Sequence, residues 1–116
     1  MDLRHLPVID WEQAIHLTGN NKEFATEVLD ILLQQLPNDI ATINHAYETK
    51  NLRELLRLVH KLHGALCYTG LPRIKSLISR LETELKSNIM DNLTSLIEQL
   101  NHEVKLLLER YPLLQT

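Results

Sequence analysis

The chain has 116 residues, enough for one domain and too few for two, and a single core of that size buries roughly two-thirds of the surface its unfolded chain exposes. Apolar residues make up 44% and aromatic ones only 4%, 25 positions are Leu, and the 3 Gly and 4 Pro are too few for the closely spaced turns of an all-β domain. The net charge of −3, with Lys and Arg scattered, argues against a nucleic-acid partner, and a single Cys makes an intramolecular disulfide impossible.

Residues 1–7 lack a helical period and end in Pro7, so they read as an arm or linker remnant ahead of a domain over residues 8–112 and a tail at 113–116. Asp10 with Gln13 resembles a capping box for a short first helix carrying Trp11, Ala14, Ile15 and Leu17, which Gly19-Asn20-Asn21 ends. Over residues 21–36 the apolar positions Phe24, Ala25, Val28, Leu29, Ile31, Leu32 and Leu36 recur at three- and four-residue intervals. Pro37 is expected to close that helix and to open another, through Ile40, Ile43, Ala46 and Tyr47. A helix over residues 51–69 follows, with Leu52, Leu55, Leu56, Val59, Leu62 and Leu66 on one side. Pro72 sits in the first turn of the next, which carries Ile74, Leu77, Ile78, Leu81 and Leu85. The last runs over residues 91–111, and Pro112 stops it. The expectation is all-α: six helices, forming an up-and-down four-helix bundle with short accessory N-terminal helices.

On a helical wheel of residues 51–69, His60 lies about 120° from the centre of the Leu/Val stripe and therefore faces water. Gly64 lies one turn beyond it, and Arg57 and Arg53 lie one and two turns before it. A mid-helix glycine costs about 1 kcal/mol relative to Ala, and no turn is needed there, so the gap it leaves beside the ring asks for a reason. Guanidinium groups match phosphate oxygens well. On the residues alone, an exposed histidine near arginines is more often a solvated side chain. His63 lies about 60° from the stripe centre, which suits either a boundary ring packed on its neighbours or a part-time cation. Cys67, two turns beyond His60 on a neighbouring face, borders the same surface, although a small apolar filler is the ordinary role of such a thiol. Lys61, Arg73 and Lys75 are further cations on exposed faces.

The stretch His60-Lys61-Leu62-His63-Gly64, with Gly70 six residues on, resembles the signature of histidine-containing phosphotransfer domains, His-x-Leu-Lys-Gly followed by a second Gly. Asp10-Trp11, Gly19-Asn20, Leu36-Pro37 and Leu81-Glu82 also fall where that family has similar residues, so the resemblance covers about residues 8–110. With Gly70-Leu71-Pro72-Arg73 included, the chain looks most like the C-terminal module of BarA-type hybrid sensor histidine kinases.

The resemblance implies a phosphorelay intermediate in which His60 accepts a phosphoryl group from one receiver-domain aspartate and passes it to another. It also implies that Glu82 accepts the His60 Nδ1–H and orients the ring. Lys61, His63, Gly64, Arg57, Arg53 and Cys67 would border the docking receiver, and His63 departs from the family pattern by standing where a Lys is usual. The expected partners are receiver domains of response regulators or of a hybrid kinase, met by a monomer without nucleic acid or direct membrane contact. No cofactor is expected on this chain, Mg2+ belonging to the receiver, and no metal, since no His has Glu three residues before it. No glycine-rich loop or Walker motif supports ATP-dependent kinase activity. Without a signal peptide or an apolar run of about 18 residues the expected location is the cytoplasm, as a free protein or as the cytoplasmic end of a membrane-bound sensor kinase. The competing reading is a non-catalytic helical adaptor that docks a partner through the same face.

Overall fold

Side chains of Asp10, Asn21 and Asn51 each accept a hydrogen bond from the backbone N–H three residues on, at 3.0, 3.0 and 3.2 Å, and so start three of the helices. The computed structural model describes residues 2–111, and its helices are α1 (Trp11–Leu17), α2 (Lys22–Glu48), α3 (Leu52–Leu66), α4 (Pro72–Lys86) and α5 (Leu93–Arg110). Pro72 opens α4 at its first turn, where a missing N–H costs nothing. No strand occurs among the described residues, and none of their helices is long and apolar enough to cross a membrane. The helix stop expected at Pro112 and the tail at 113–116 lie outside the described residues.

The break expected at Pro37 does not occur, so five helices stand where six were expected. Pro37 lies inside the single 27-residue α2. Proline removes one backbone hydrogen bond, but the apolar period continues through it in phase. Leu29, Leu32, Leu33 and Leu36 before it and Ile40, Ile43 and Ala46 after it are all buried in one stripe, while Pro37 itself points to solvent. Burial of a continuous stripe outweighs the local penalty of about 3 kcal/mol.

The long helices close a bundle in which α2 packs on α3, α3 on α4, α4 on α5 and α5 back on α2. The core is aliphatic, with Leu55, Val59, Leu77, Ile78, Leu81 and Leu107 excluded from solvent. At its margin, half-buried Asn44 on α2 and Asn101 on α5 exchange side-chain amide bonds at 2.8 and 2.9 Å. The segment before α1 packs on this frame, with Leu3, Val8 and Ile9 buried, and Arg73 Nε donates to the Leu6 carbonyl at 2.7 Å. Gly70, between α3 and α4, has φ +63° and accepts the Asp10 N–H at 2.8 Å. That contact seats α1 against the α3–α4 turn. A Cβ at Gly70 would lie 2.5 Å from the Asp10 carbonyl oxygen, so the glycine is required by both its backbone and its surroundings.

Candidate functional site

The buried stripe of α3, Leu55, Val59, Leu62 and Leu66, turns His60 outward, and its side chain is 71% exposed. Opposite, on α4, Glu82 follows the fully buried Leu81 and flanks the apolar stripe that faces α3. Its side chain is only 9% exposed. The Glu82 carboxylate serves two rings: His60 Nδ1–H donates to Oε2, and His63 Nδ1–H donates to Oε1 at 2.9 Å. Lys86, one turn along α4, places Nζ 3.7 Å from Oε2. Burial opposes ionisation of Glu82, but the bonds from His60 and His63 and the charge of Lys86 outweigh it and hold the carboxyl below its ordinary pKa. An ionised carboxylate only accepts, so a neutral His60 carries its proton on Nδ1 and keeps its lone pair on the solvent-facing Nε2.

Gly64 adds nothing to that arrangement except space. A Cβ built there meets no atom within 4 Å. Arg57 is exposed but held by Glu54 on the same helix, Nε to Oε2 at 2.9 Å, and Arg53 is exposed one turn earlier. Lys61 is exposed on the α2 side of α3, where burial raises the pKa of Asp39 against the opposing charge of Lys61. Cys67 is half-buried, and its Sγ–H donates to the His63 carbonyl at 3.4 Å. Arg73 turns away from His60 altogether, toward Leu6 and, at 3.5 Å, Glu103. Lys75 lines a separate groove on the outer face of α4 with Leu6, Gln13 and Pro72.

Among the predicted residues, then, His60, His63 and Glu82 are brought into direct contact, and Gly64 opens the approach to them. Arg53, Arg57 and Lys61 are exposed on α3 and Cys67 is half-buried just past its end, and none of them is bonded to the His60 ring. His63 is a boundary ring with 28% of its side chain exposed, and the sequence alone did not connect it to Glu82. Lys86 was missed as well, although its spacing of four from Glu82 is the usual signal for a charge pair on one helix face. Tyr68, 60% exposed just past α3, is a further exposed aromatic that periodicity did not pick out.

The Hpt domain family model matches residues 27–110. Sensor protein GacS of Pseudomonas syringae pv. syringae is 35% identical over 81 residues, which is 70% of this chain and 9% of that protein. Signal transduction histidine-protein kinase BarA of Escherichia coli (strain K12) is 33% identical over 79 residues, 68% of this chain and again 9% of the relative. The chain thus spans about a tenth of the length of these curated relatives. Among solved structures, the crystal structure of the HPT domain from a Shewanella sensor hybrid histidine kinase superposes with a TM-score of 0.72 at 28% identity. It covers 89% of this chain and 95% of that one.

Proposed function

The chain belongs to the Hpt domain family, which performs histidine phosphotransfer in phosphorelays, and from that premise we propose that His60 is the residue that carries the phosphoryl group. The observation that carries this reading is the pairing of an exposed ring with a buried carboxylate. Glu82 holds the Nδ1–H of His60 and leaves Nε2 facing solvent with its lone pair. Nε2 attacks the phosphorus of a receiver's aspartyl phosphate, the new N–P bond forms, the P–O bond breaks, and the electron pair leaves on the aspartate carboxylate. The ring becomes a cation that retains its Nδ1–H, and the Glu82 carboxylate stabilises that charge. Passage to a second receiver reverses these events.

The partners on this reading are receiver domains, which dock over Gly64 and the cations Lys61, Arg53 and Arg57 and supply the Mg2+. This chain contributes no cofactor and acts as a monomer in the cytoplasm, alone or as part of a longer sensor kinase. The test is incubation with a receiver charged by a small phosphodonor. Acid-labile phosphate should appear on the wild type, vanish in His60→Gln and form more slowly in Glu82→Ala. Phosphate mapping to His63, or labelling that survives His60→Gln, would refute the assignment. No labelling from any receiver, with a stable receiver complex, would favour the adaptor.

A further inference from the structure

The Glu82 carboxylate is shared between two imidazoles, and only one of them, on the reading above, does chemistry. We propose that His63 is a positioning residue for phosphotransfer at His60, holding one oxygen of Glu82 so that the other is presented to His60 Nδ1–H. The proposal rests on His60 being the phosphorylated residue.

Glu82 carries its carboxylate at the end of a flexible side chain. Its terminal torsion is broad, so a carboxylate with one ring for a partner can rotate, offer either oxygen, or swing toward Lys86, whose Nζ lies 3.7 Å from the same Oε2 that His60 uses. His63 removes that freedom. It is three residues from His60 on the same helix, its ring is largely buried, and its Nδ1–H engages Oε1 at 2.9 Å. With each oxygen occupied by one ring of α3, the carboxylate plane is fixed relative to that helix.

Fixing the carboxylate fixes the tautomer of His60. A free neutral imidazole exchanges between its two N–H forms, and only the form protonated on Nδ1 has the Nε2 lone pair that can attack phosphorus. A carboxylate locked beside Nδ1 selects that form, and His63 is what locks it. His63 itself touches no reacting atom.

The experiment compares wild type with His63→Ala, His63→Phe and His63→Asn. Phenylalanine keeps the packing of the ring without its donor, whereas asparagine places an amide N–H at the same atom count from the backbone as Nδ1. Two quantities are read: the 15N shifts of the His60 ring, which report its tautomer, and the rate of phosphoryl transfer from a charged receiver. In His63→Ala and His63→Phe the share of Nε2–H tautomer should rise and transfer should slow on the order of tenfold, the scale on which residues supporting a reactive group act. His63→Asn should restore both.

An unchanged tautomer in the folded Ala or Phe variant overturns the proposal, as does an asparagine variant that is as slow as alanine. A wild-type protein that takes no phosphoryl group defeats the phosphotransfer reading instead. In that case the 15N shifts, which need no phosphate, still decide whether His63 sets the tautomer of His60.

Discussion

Gly64 and Gly70 stand six residues apart in one motif, and the space around them differs. Gly70 has a positive φ and backbone of α1 against it, whereas Gly64 is helical with nothing within 4 Å of a built Cβ. Gly64→Ala should therefore stabilise the protein by about 0.5–1 kcal/mol through a less flexible unfolded chain, while Gly70→Ala should destabilise it by at least about 1–2 kcal/mol. Urea unfolding of both variants checks this, and a destabilised Gly64→Ala would contradict the open space. Gly64→Leu should also fold, yet transfer to it should fall by orders of magnitude, because the side chain lies over an approach that must bring reacting atoms within roughly 3–3.5 Å.

Glu82 ties the stability of the fold to pH. Its carboxyl pKa is lower in the folded protein than in the unfolded chain, so its ionisation contributes stability above the ordinary carboxyl range, and that contribution is lost as pH falls through the folded-state value. The stability gap between wild type and Glu82→Gln should be widest near neutral pH and shrink on acidification below about pH 4.5. Unfolding midpoints measured across that range would show it. A gap that stays constant would mean the carboxylate gains nothing from being charged.

Helix existence and phase were legible in the sequence because Leu, Ile and Val recur at helical intervals, and the outward turn of His60 followed from that phase alone. The break at Pro37 was misread because a local steric rule competes with burial that only the assembled bundle supplies. Pro37→Ala should restore the backbone bond to the Leu33 carbonyl and raise stability by about 1–2 kcal/mol, the gain being trimmed by the extra freedom of the unfolded chain. Equilibrium denaturation measures this, and a loss of stability would show that the proline sets a bend the bundle needs. Phe24 and Ile31 illustrate the converse limit. Both fit the helical period of α2, yet they are 49% and 57% exposed, since periodicity marks a face without stating how far the neighbouring helices cover it. The His63 bond to Glu82 joins residues 19 apart in sequence on different helices, and no pattern within α3 or within α4 encodes their relative rotation.

The molecule is a bundle about 40 × 26 × 22 Å with the His60 ring laid across the α3–α4 seam. Catalysis on the phosphotransfer reading asks for no moving lid: the groups that orient His60 are already in hydrogen-bonding contact. The ring has one outward nitrogen, and that geometry limits traffic as well as chemistry. If His60 carries the phosphoryl group, donor and acceptor must occupy the same seat, so they take turns, and the lifetime of the first complex sets how soon the second can begin. Steady-state relay through this domain should give parallel double-reciprocal lines when donor and acceptor receivers are varied, the kinetic mark of a substituted intermediate. Excess unphosphorylated donor should slow the flow by holding the seat, and a receiver that dissociates slowly would throttle the relay even if its transfer step were fast. Intersecting lines would instead reveal a ternary complex, which a single outward nitrogen does not accommodate.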